Sequence, residues 1–249
     1  MNPSDSAHAK PPTQPNWASA GQRAVPIAGL GVGITFLGWA GANTSTLLSG
    51  ALVACVFFVG IDTVAVLKNH SLGWASRVTQ ARLALVGLLA AALLEPAVYR
   101  DAGWMIAGLA LFALILDGVD GFLARRLGEC SDFGARFDME VDAALIMVLC
   151  LGALAAGLAG PWVLLLGLMR YFFLLAGQTL TWLQSPLPSS FRRKLVCVWQ
   201  IGALLVAISP LVAGLGAEVI LLSALAGLVY SFAVDIQWLY NNRRVSYSQ

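Results

Sequence analysis

Long apolar runs alternate with short polar stretches along most of the chain. A polar segment with four prolines comes first, and apolar runs follow from about Val25 onward. A helix needs about 20 mostly apolar residues to cross a bilayer, so each run is interpreted as a membrane helix. The predicted spans are residues 25–42, 47–67, 83–94, 104–125, 134–159, 162–183, 195–209 and 216–240. The span that begins at residue 83 is short unless the preceding linker is also helical.

The same pattern divides the chain into four parts. Residues 1–24 are expected to form a disordered cytoplasmic tail, because they are polar, rich in proline and without apolar periodicity. Residues 25–67 are predicted to form two transmembrane helices, and residues 68–241 a six-helix domain. Residues 242–249 are expected to form a second cytoplasmic tail. The predicted fold is therefore all-α, a polytopic bundle with a six-helix core and two extra amino-terminal helices.

Composition supports a membrane protein. Hydrophobic residues make up 59% of the chain and charged residues only 11%, whereas soluble domains contain about 25% charged residues. The net charge of +2 is too small to indicate a nucleic-acid partner. The four cysteines are scattered without C-x-x-C spacing and predict neither a disulfide nor a zinc site.

The distribution of basic residues predicts the orientation of the bundle. With the amino terminus inside, thirteen of the fifteen Lys and Arg residues lie on cytoplasmic segments. Arg100 then lies outside and Arg170 within the membrane. Arg77 and Arg82, at the end of a polar linker, are interpreted as facing lipid headgroups. We expect a bacterial inner-membrane protein whose 117–142 segment faces the cytoplasm.

That segment carries the candidate chemistry, since seven of the thirteen acidic residues lie in it. Residues three or four apart share a face of a helix. Two such sets occur, joined by a short turn at residues 128–131: Asp117, Asp120, Gly121, Ala124 and Arg125 in the first, and Gly134, Asp138 and Asp142 in the second. Two helices joined in this way would direct the four aspartates to a common point.

Four converging carboxylates need a positive partner, because each unpaired acid in a membrane costs about 3 kcal/mol. Oxygen ligands without a nearby His or Cys indicate Mg²⁺ or Mn²⁺. Gly121, Ala124 and Gly134 leave space beside the helix backbones, and Arg125 supplies a positive charge that suits phosphate. Together these residue types predict a site for a metal ion and a diphosphate.

The segment matches D-x2-D-G-x2-A-R-x8-G-x3-D-x3-D at all eight fixed positions and resembles the signature of the CDP-alcohol phosphotransferases, also called CDP-alcohol phosphatidyltransferases. The resemblance extends from about Arg82 onward and leaves out the first two helices. It implies transfer of a phosphatidyl group from CDP-diacylglycerol to an alcohol, with release of CMP, in phospholipid biosynthesis. It also implies Mg²⁺ or Mn²⁺ as cofactor and a homodimer.

The resemblance assigns roles to the residues of the signature. Asp142 would be the catalytic base that takes the proton from the attacking alcohol. The metal ligands would be Asp117, Asp120, Asp138 and Asp142. The CDP group would be contacted by Asp117, Asp120, Gly121, Ala124, Arg125 and Gly134.

Basic residues beyond the signature are candidates for binding the acceptor. Arg170 lies inside a predicted span, where an arginine usually faces a polar cavity. The alternative is that it pairs with an acid such as Asp142 or Asp235. Arg193 and Lys194 precede the next span and are the other two candidates.

Three other functions fit parts of the pattern. One is transfer of a CDP-linked headgroup to diacylglycerol, and another is a relative that has lost activity, against which the intact signature argues. The third is an ion-binding or transport protein, because acids in membrane helices also line ion pathways. Transport sites usually lie near the midplane in broken helices, whereas these acids lie at a turn between two helices.

Overall fold

The computed structural model describes residues 16–67, 74–127, 132–185, 187–188, 190–212 and 214–242. Every regular element within these ranges is helical, which confirms the predicted all-α fold. The helices are α1 (Asn16–Trp39), α2 (Thr44–Leu67), α3 (Trp74–Ala91), α4 (Pro96–Asp101), α5 (Gly103–Leu127), α6 (Asp132–Ala155), α7 (Leu164–Thr179), α8 (Phe191–Ile208) and α9 (Leu215–Asn242). Short 3-10 turns occupy Ala92–Leu94, Pro161–Val163 and Thr181–Gln184.

Each predicted span overlaps one long helix. Five of these helices are long and apolar enough to cross a membrane: Thr44–Thr63, Ser76–Leu94, Gly103–Leu127, Pro161–Thr179 and Leu215–Asn242. Ala24–Trp39 is a shorter apolar helix. α6 and α8 are not among these five, and both contain several charged residues: Asp138, Glu140 and Asp142 in α6, and Arg192, Arg193 and Lys194 in α8. The chain is an integral membrane protein with a polytopic helical fold.

Two helices, α1 and α3, begin well before their predicted spans. α1 begins at Asn16, inside the predicted tail, because the Ala-, Gln- and Arg-containing stretch before Val25 favours continuation of the helix. Residues 1–15 and 243–249 lie outside the described residues. α3 begins at Trp74, so part of the predicted linker is helical and supplies the length that the apolar run alone lacks.

α3 lies in the middle of the bundle and contacts α1, α2, α5 and α6. Glycines let the two amino-terminal helices approach it closely. A Cβ added at Gly29 would lie 2.8 Å from the Cβ of Ala81, and one added at Gly50 would lie 2.8 Å from a methyl carbon of Leu88. The extra helices therefore pack directly against a helix of the predicted core.

A buried polar contact also joins α2 to α3. Nη1 of Arg77 donates hydrogen bonds to Asp62 Oδ1 and to Gln80 Oε1, each at 2.8 Å. The Arg77 guanidinium carbon lies 5.8 Å from the ring centre of Phe58. Arg77 is only 8% exposed, so its predicted position among lipid headgroups is wrong. Asp62 supplies the opposite charge that allows this arginine to be buried.

Glycines with positive φ end two of the long helices. Gly41 follows α1 with φ 83°, and Gly157 follows α6 with φ 72°. Beyond Gly157, the Leu158 N–H donates to the carbonyl of Ala153 at 2.9 Å, which is the 6→1 bond of a Schellman motif. Glycine is favoured at these positions because it has no Cβ to clash in the left-handed region.

The short helix α4 is fixed by a buried tyrosine. Tyr99 is fully buried, and its hydroxyl donates to the carbonyl of Leu89 at 2.8 Å. Its ring lies against α6 at Gly152, where an added Cβ would overlap the ring carbons. The absence of a side chain at Gly152 therefore allows α4 to pack on α6.

We predict that Gly152→Ala lowers the thermal unfolding temperature in detergent, because the new methyl group must displace a buried ring. Overpacking of this kind costs about 1–3 kcal/mol. Gly202→Ala is the matched control, since a Cβ there meets no atom within 4 Å in the described structure. Equal unfolding temperatures for the two variants would contradict this account of the α4–α6 contact.

Candidate functional site

Four aspartates from the end of α5 and the start of α6 converge. Asp117 and Asp120 lie three residues apart on α5, and Asp138 and Asp142 lie four apart on α6. One carboxylate oxygen each from Asp117, Asp120 and Asp138 lies within 4.8 Å of the other two. Asp120 is 3% exposed, whereas the other three side chains are 29–37% exposed. Asp120 is thus the buried member of the group, and the other three carboxylates are partly exposed.

Arg82 of α3 projects into the middle of this group. Its Nη1 lies 2.8 Å from Asp117 Oδ1 and 3.0 Å from Asp120 Oδ2, and it also contacts Asp138 Oδ1. Its Nη2 pairs with Asp142 Oδ1. A planar guanidinium presents several donors in a fixed fork, so one side chain reaches carboxylates on two helices. Arg82 therefore bonds α3 to both α5 and α6.

The predicted position of Arg82 among lipid headgroups is wrong, because its side chain is 1% exposed. Its burial has a clear cause in the four opposite charges around it. Thr79, one turn earlier on α3, donates from Oγ1 to Asp120 Oδ2 at 2.9 Å. The sequence did not assign either residue to the site, although their T-x-x-R spacing places them on one helical face.

The other signature residues lie around the aspartates on the same two helices. Gly121 is partly buried, and a Cβ added to it would lie 3.4 Å from Arg125 Nη1. Arg125 is exposed, and Gly134 is partly buried near the start of α6. The side chain of Ala124 and the turn at 128–131 lie outside the described part of the chain. The Arg125 guanidinium thus lies beside Gly121, one turn along α5 from Asp120.

A cavity of about 340 Å³ lies beside Asp142, between α6, α7, α8 and α9. Eleven of its seventeen lining residues are apolar or glycine. The polar ones are Asp142, Arg170, Arg193, Gln200, Ser231 and Asp235. Asp142 is the one signature aspartate among these lining residues, and it also pairs with Arg82. It therefore stands between the aspartate cluster and the cavity.

The three candidate acceptor residues have different positions. Arg170 and Arg193 line the cavity with side chains 31% and 30% exposed. Lys194 is exposed and lies outside the cavity lining. The structure therefore separates the two arginines from the lysine.

Arg170 pairs with an acid, as the alternative interpretation expected, although with neither Asp142 nor Asp235. It donates to Glu140 Oε1 at 2.5 Å and to the carbonyl of Met139 at 2.7 Å, both on the neighbouring helix α6. Asp235 pairs instead with Arg192 and lies 3.5 Å from Arg193 Nη1. Asp142 is occupied by Arg82. Arg170 thus has an acid of its own, whereas Arg192 and Arg193 share the single carboxylate of Asp235, which leaves one formal positive charge beside the cavity.

The donor set fits a divalent cation. Mg²⁺ and Mn²⁺ bind carboxylate oxygens, and three such oxygens already lie close together in this site. One guanidinium balances only one of the four carboxylate charges, so formal negative charge remains available to a metal ion. The residues present are consistent with a metal held by the aspartates of α5 and α6.

Comparison with known families identifies the chain. Comparisons with curated proteins and with solved structures found no match. The family model for CDP-alcohol phosphatidyltransferase matches residues 72–232, which begin just before α3 and end within α9. This match covers more than half of the chain and includes Arg82, all four aspartates and every cavity-lining residue except Asp235. The chain therefore belongs to the CDP-alcohol phosphatidyltransferase family, whose members are membrane transferases of phosphate-containing groups in phospholipid synthesis and generally use a divalent metal.

Proposed function

We propose that this protein transfers a phosphatidyl group from CDP-diacylglycerol to a small alcohol and releases CMP. The observation that carries the proposal is the position of Asp142, which borders both the aspartate cluster and the cavity. A donor diphosphate at the cluster and an acceptor hydroxyl in the cavity would then meet at one carboxylate. The positive-inside distribution of Lys and Arg supports a cytoplasmic active site in a bacterial inner membrane.

Three aspartates would hold the metal and the donor. Asp117, Asp120 and Asp138 supply the clustered oxygens, and Gly121 and the exposed Arg125 follow them on α5. A bound divalent ion offsets the negative charge of the diphosphate and of the leaving group. Arg125 would contribute a further positive charge to the phosphates, and Gly134 and Ala124 would leave space for the cytidine nucleotide.

Asp142 would act as the general base. Its carboxylate would accept the proton of the acceptor hydroxyl as that oxygen attacks the lipid-linked phosphorus. A new oxygen–phosphorus bond forms, the bond between that phosphorus and the CMP oxygen breaks, and CMP leaves. The apolar lining of the cavity would keep competing water away from this phosphorus.

The acceptor would be an alcohol that also carries an anionic group. Arg170 and Arg193 present partly exposed guanidinium groups to the same cavity as Asp142. Charge-assisted hydrogen bonds to a phosphate or carboxylate would orient the hydroxyl toward the base. Glycerol 3-phosphate and inositol phosphate have this chemistry, and serine has it through its carboxylate.

Purified full-length protein in detergent is predicted to release CMP from CDP-diacylglycerol when Mg²⁺ or Mn²⁺ and the correct alcohol are present, and to release none in EDTA. The assay uses a panel of glycerol 3-phosphate, inositol phosphate, serine and choline. Mass spectrometry of the lipid product then identifies the acceptor.

In the same assay, Asp142→Asn should reduce transfer at least about 100-fold, the lower range for loss of a general base.

Binding of CDP to Asp142→Asn, measured in the presence of Mn²⁺, controls for misfolding and should be partly retained. Substantial turnover by this variant would remove Asp142 from the role of base. Transfer of phosphocholine from CDP-choline to diacylglycerol, with no reaction of CDP-diacylglycerol, would reverse the assignment of donor and acceptor.

Arg193→Gln is predicted to raise the KM for the anionic acceptor roughly 10- to 100-fold, the effect of losing one charge-assisted hydrogen bond. The KM for CDP-diacylglycerol should change little, because Arg193 is on the cavity side of Asp142. Lys194→Gln is the matched control: it removes the adjacent positive charge outside the cavity lining and should leave both constants unchanged. Equal effects of the two substitutions on acceptor KM would contradict an acceptor site in this cavity.

A further inference from the structure

Arg82 lies where a metal ion would have to bind. Its Nη1 contacts Asp117, Asp120 and Asp138, the same three residues whose oxygens cluster within 4.8 Å. A Mg²⁺ ion requires about 2.0–2.1 Å to each oxygen ligand and therefore needs the space between these carboxylates. A guanidinium nitrogen that contacts all three carboxylates therefore competes with a metal ion for the same group of ligands.

The four carboxylates require a cation between them both with and without bound metal. The Asp120 side chain is 4% exposed and that of Arg82 is 1% exposed, so water screens neither charge. Removing one partner from a buried ion pair is strongly destabilising because the other charge is left uncompensated. In the absence of metal, Arg82 supplies the positive charge. A divalent ion supplies more charge to the same four carboxylates and would be favoured over the guanidinium when it is available.

One atom of Arg82 remains unsatisfied in this position. Nε is buried and has no hydrogen-bond partner among the described residues. A buried donor without a partner is unfavourable, so the guanidinium is held by its ion pairs and by no bond at Nε. Moving the side chain away from the aspartates therefore sacrifices no hydrogen bond at that atom.

We propose that Arg82 is a built-in counter-ion that holds the four aspartates together before metal binds, and that the metal ion must displace its guanidinium to enter. Arg82 is thus a positioning residue that sets the metal affinity of the site. This inference rests on the metal site proposed above.

The test compares Mn²⁺ binding to purified wild-type protein, Arg82→Gln and Arg82→Lys, with free Mn²⁺ measured by electron paramagnetic resonance. Arg82→Gln is expected to bind Mn²⁺ at least about tenfold more tightly than the wild type, because no side-chain cation competes. Arg82→Lys should lie between the two, since an ammonium reaches fewer carboxylates at once. In EDTA the unfolding temperature of Arg82→Gln should fall below that of the wild type, and Mn²⁺ should restore it.

Arg77→Gln is the matched control, because Arg77 is a buried arginine on the same helix that pairs with Asp62 instead of the signature aspartates. It should lower the unfolding temperature equally with and without Mn²⁺ and keep the wild-type Mn²⁺ affinity.

Unchanged or weaker Mn²⁺ binding by Arg82→Gln would overturn the role of Arg82 while leaving the metal site in place. Failure of both wild type and variant to bind Mn²⁺ would overturn the metal site and this inference with it. If Arg82→Gln does not fold, Arg82→Lys decides: tighter binding than the wild type supports displacement, and equal or weaker binding refutes it.

Discussion

Compensation of buried charge by Arg82 determines how the ends of α3, α5 and α6 are arranged. The guanidinium pairs with two aspartates on α5 through one nitrogen and reaches both aspartates of α6 through its two terminal nitrogens. Without a cation between them, the carboxylates would repel one another in a region that water reaches only from one side. The same four oxygen-bearing side chains are the donors that a divalent metal prefers. Structural stability and the proposed chemistry thus depend on one set of charges.

The rest of the bundle supports the helix that carries this arginine. α1 and α2 lie outside the family match, yet both pack on α3 through close glycine contacts. Arg77 and Asp62 add a largely buried ion pair between α2 and α3, and Arg77 precedes Thr79 and Arg82 on the same helix. On the opposite side of the site, α7, α8 and α9 enclose the cavity that Asp142 borders. The two extra helices therefore brace the aspartate site from one side while the cavity opens on the other.

Much of this arrangement follows from the sequence. Apolar runs predicted each long helix, and the spacing of Asp117, Asp120, Asp138 and Asp142 predicted that the four carboxylates meet. Hydropathy and charge counting place an arginine near a helix end among headgroups, so they misplaced Arg82, whose burial depends on partners on two other helices. The need for a positive group among four acids was the signal that could have identified it. The contact between Arg170 and Glu140 depends on how α6 and α7 pack against each other, which the predicted span boundaries do not specify. The metal, CDP and base roles of the signature residues remain predictions, as do the acceptor roles of Arg170, Arg193 and Lys194.

Anomalous X-ray diffraction from crystals grown with Mn²⁺ and CDP tests the central claim most directly, because it locates the metal by element. The account predicts a manganese peak within about 2.0–2.3 Å of carboxylate oxygens from Asp117, Asp120 and Asp138, with the Arg82 guanidinium moved out of the space between them. A manganese peak elsewhere, or an Arg82 guanidinium still lodged among the four aspartates beside bound nucleotide, would contradict it.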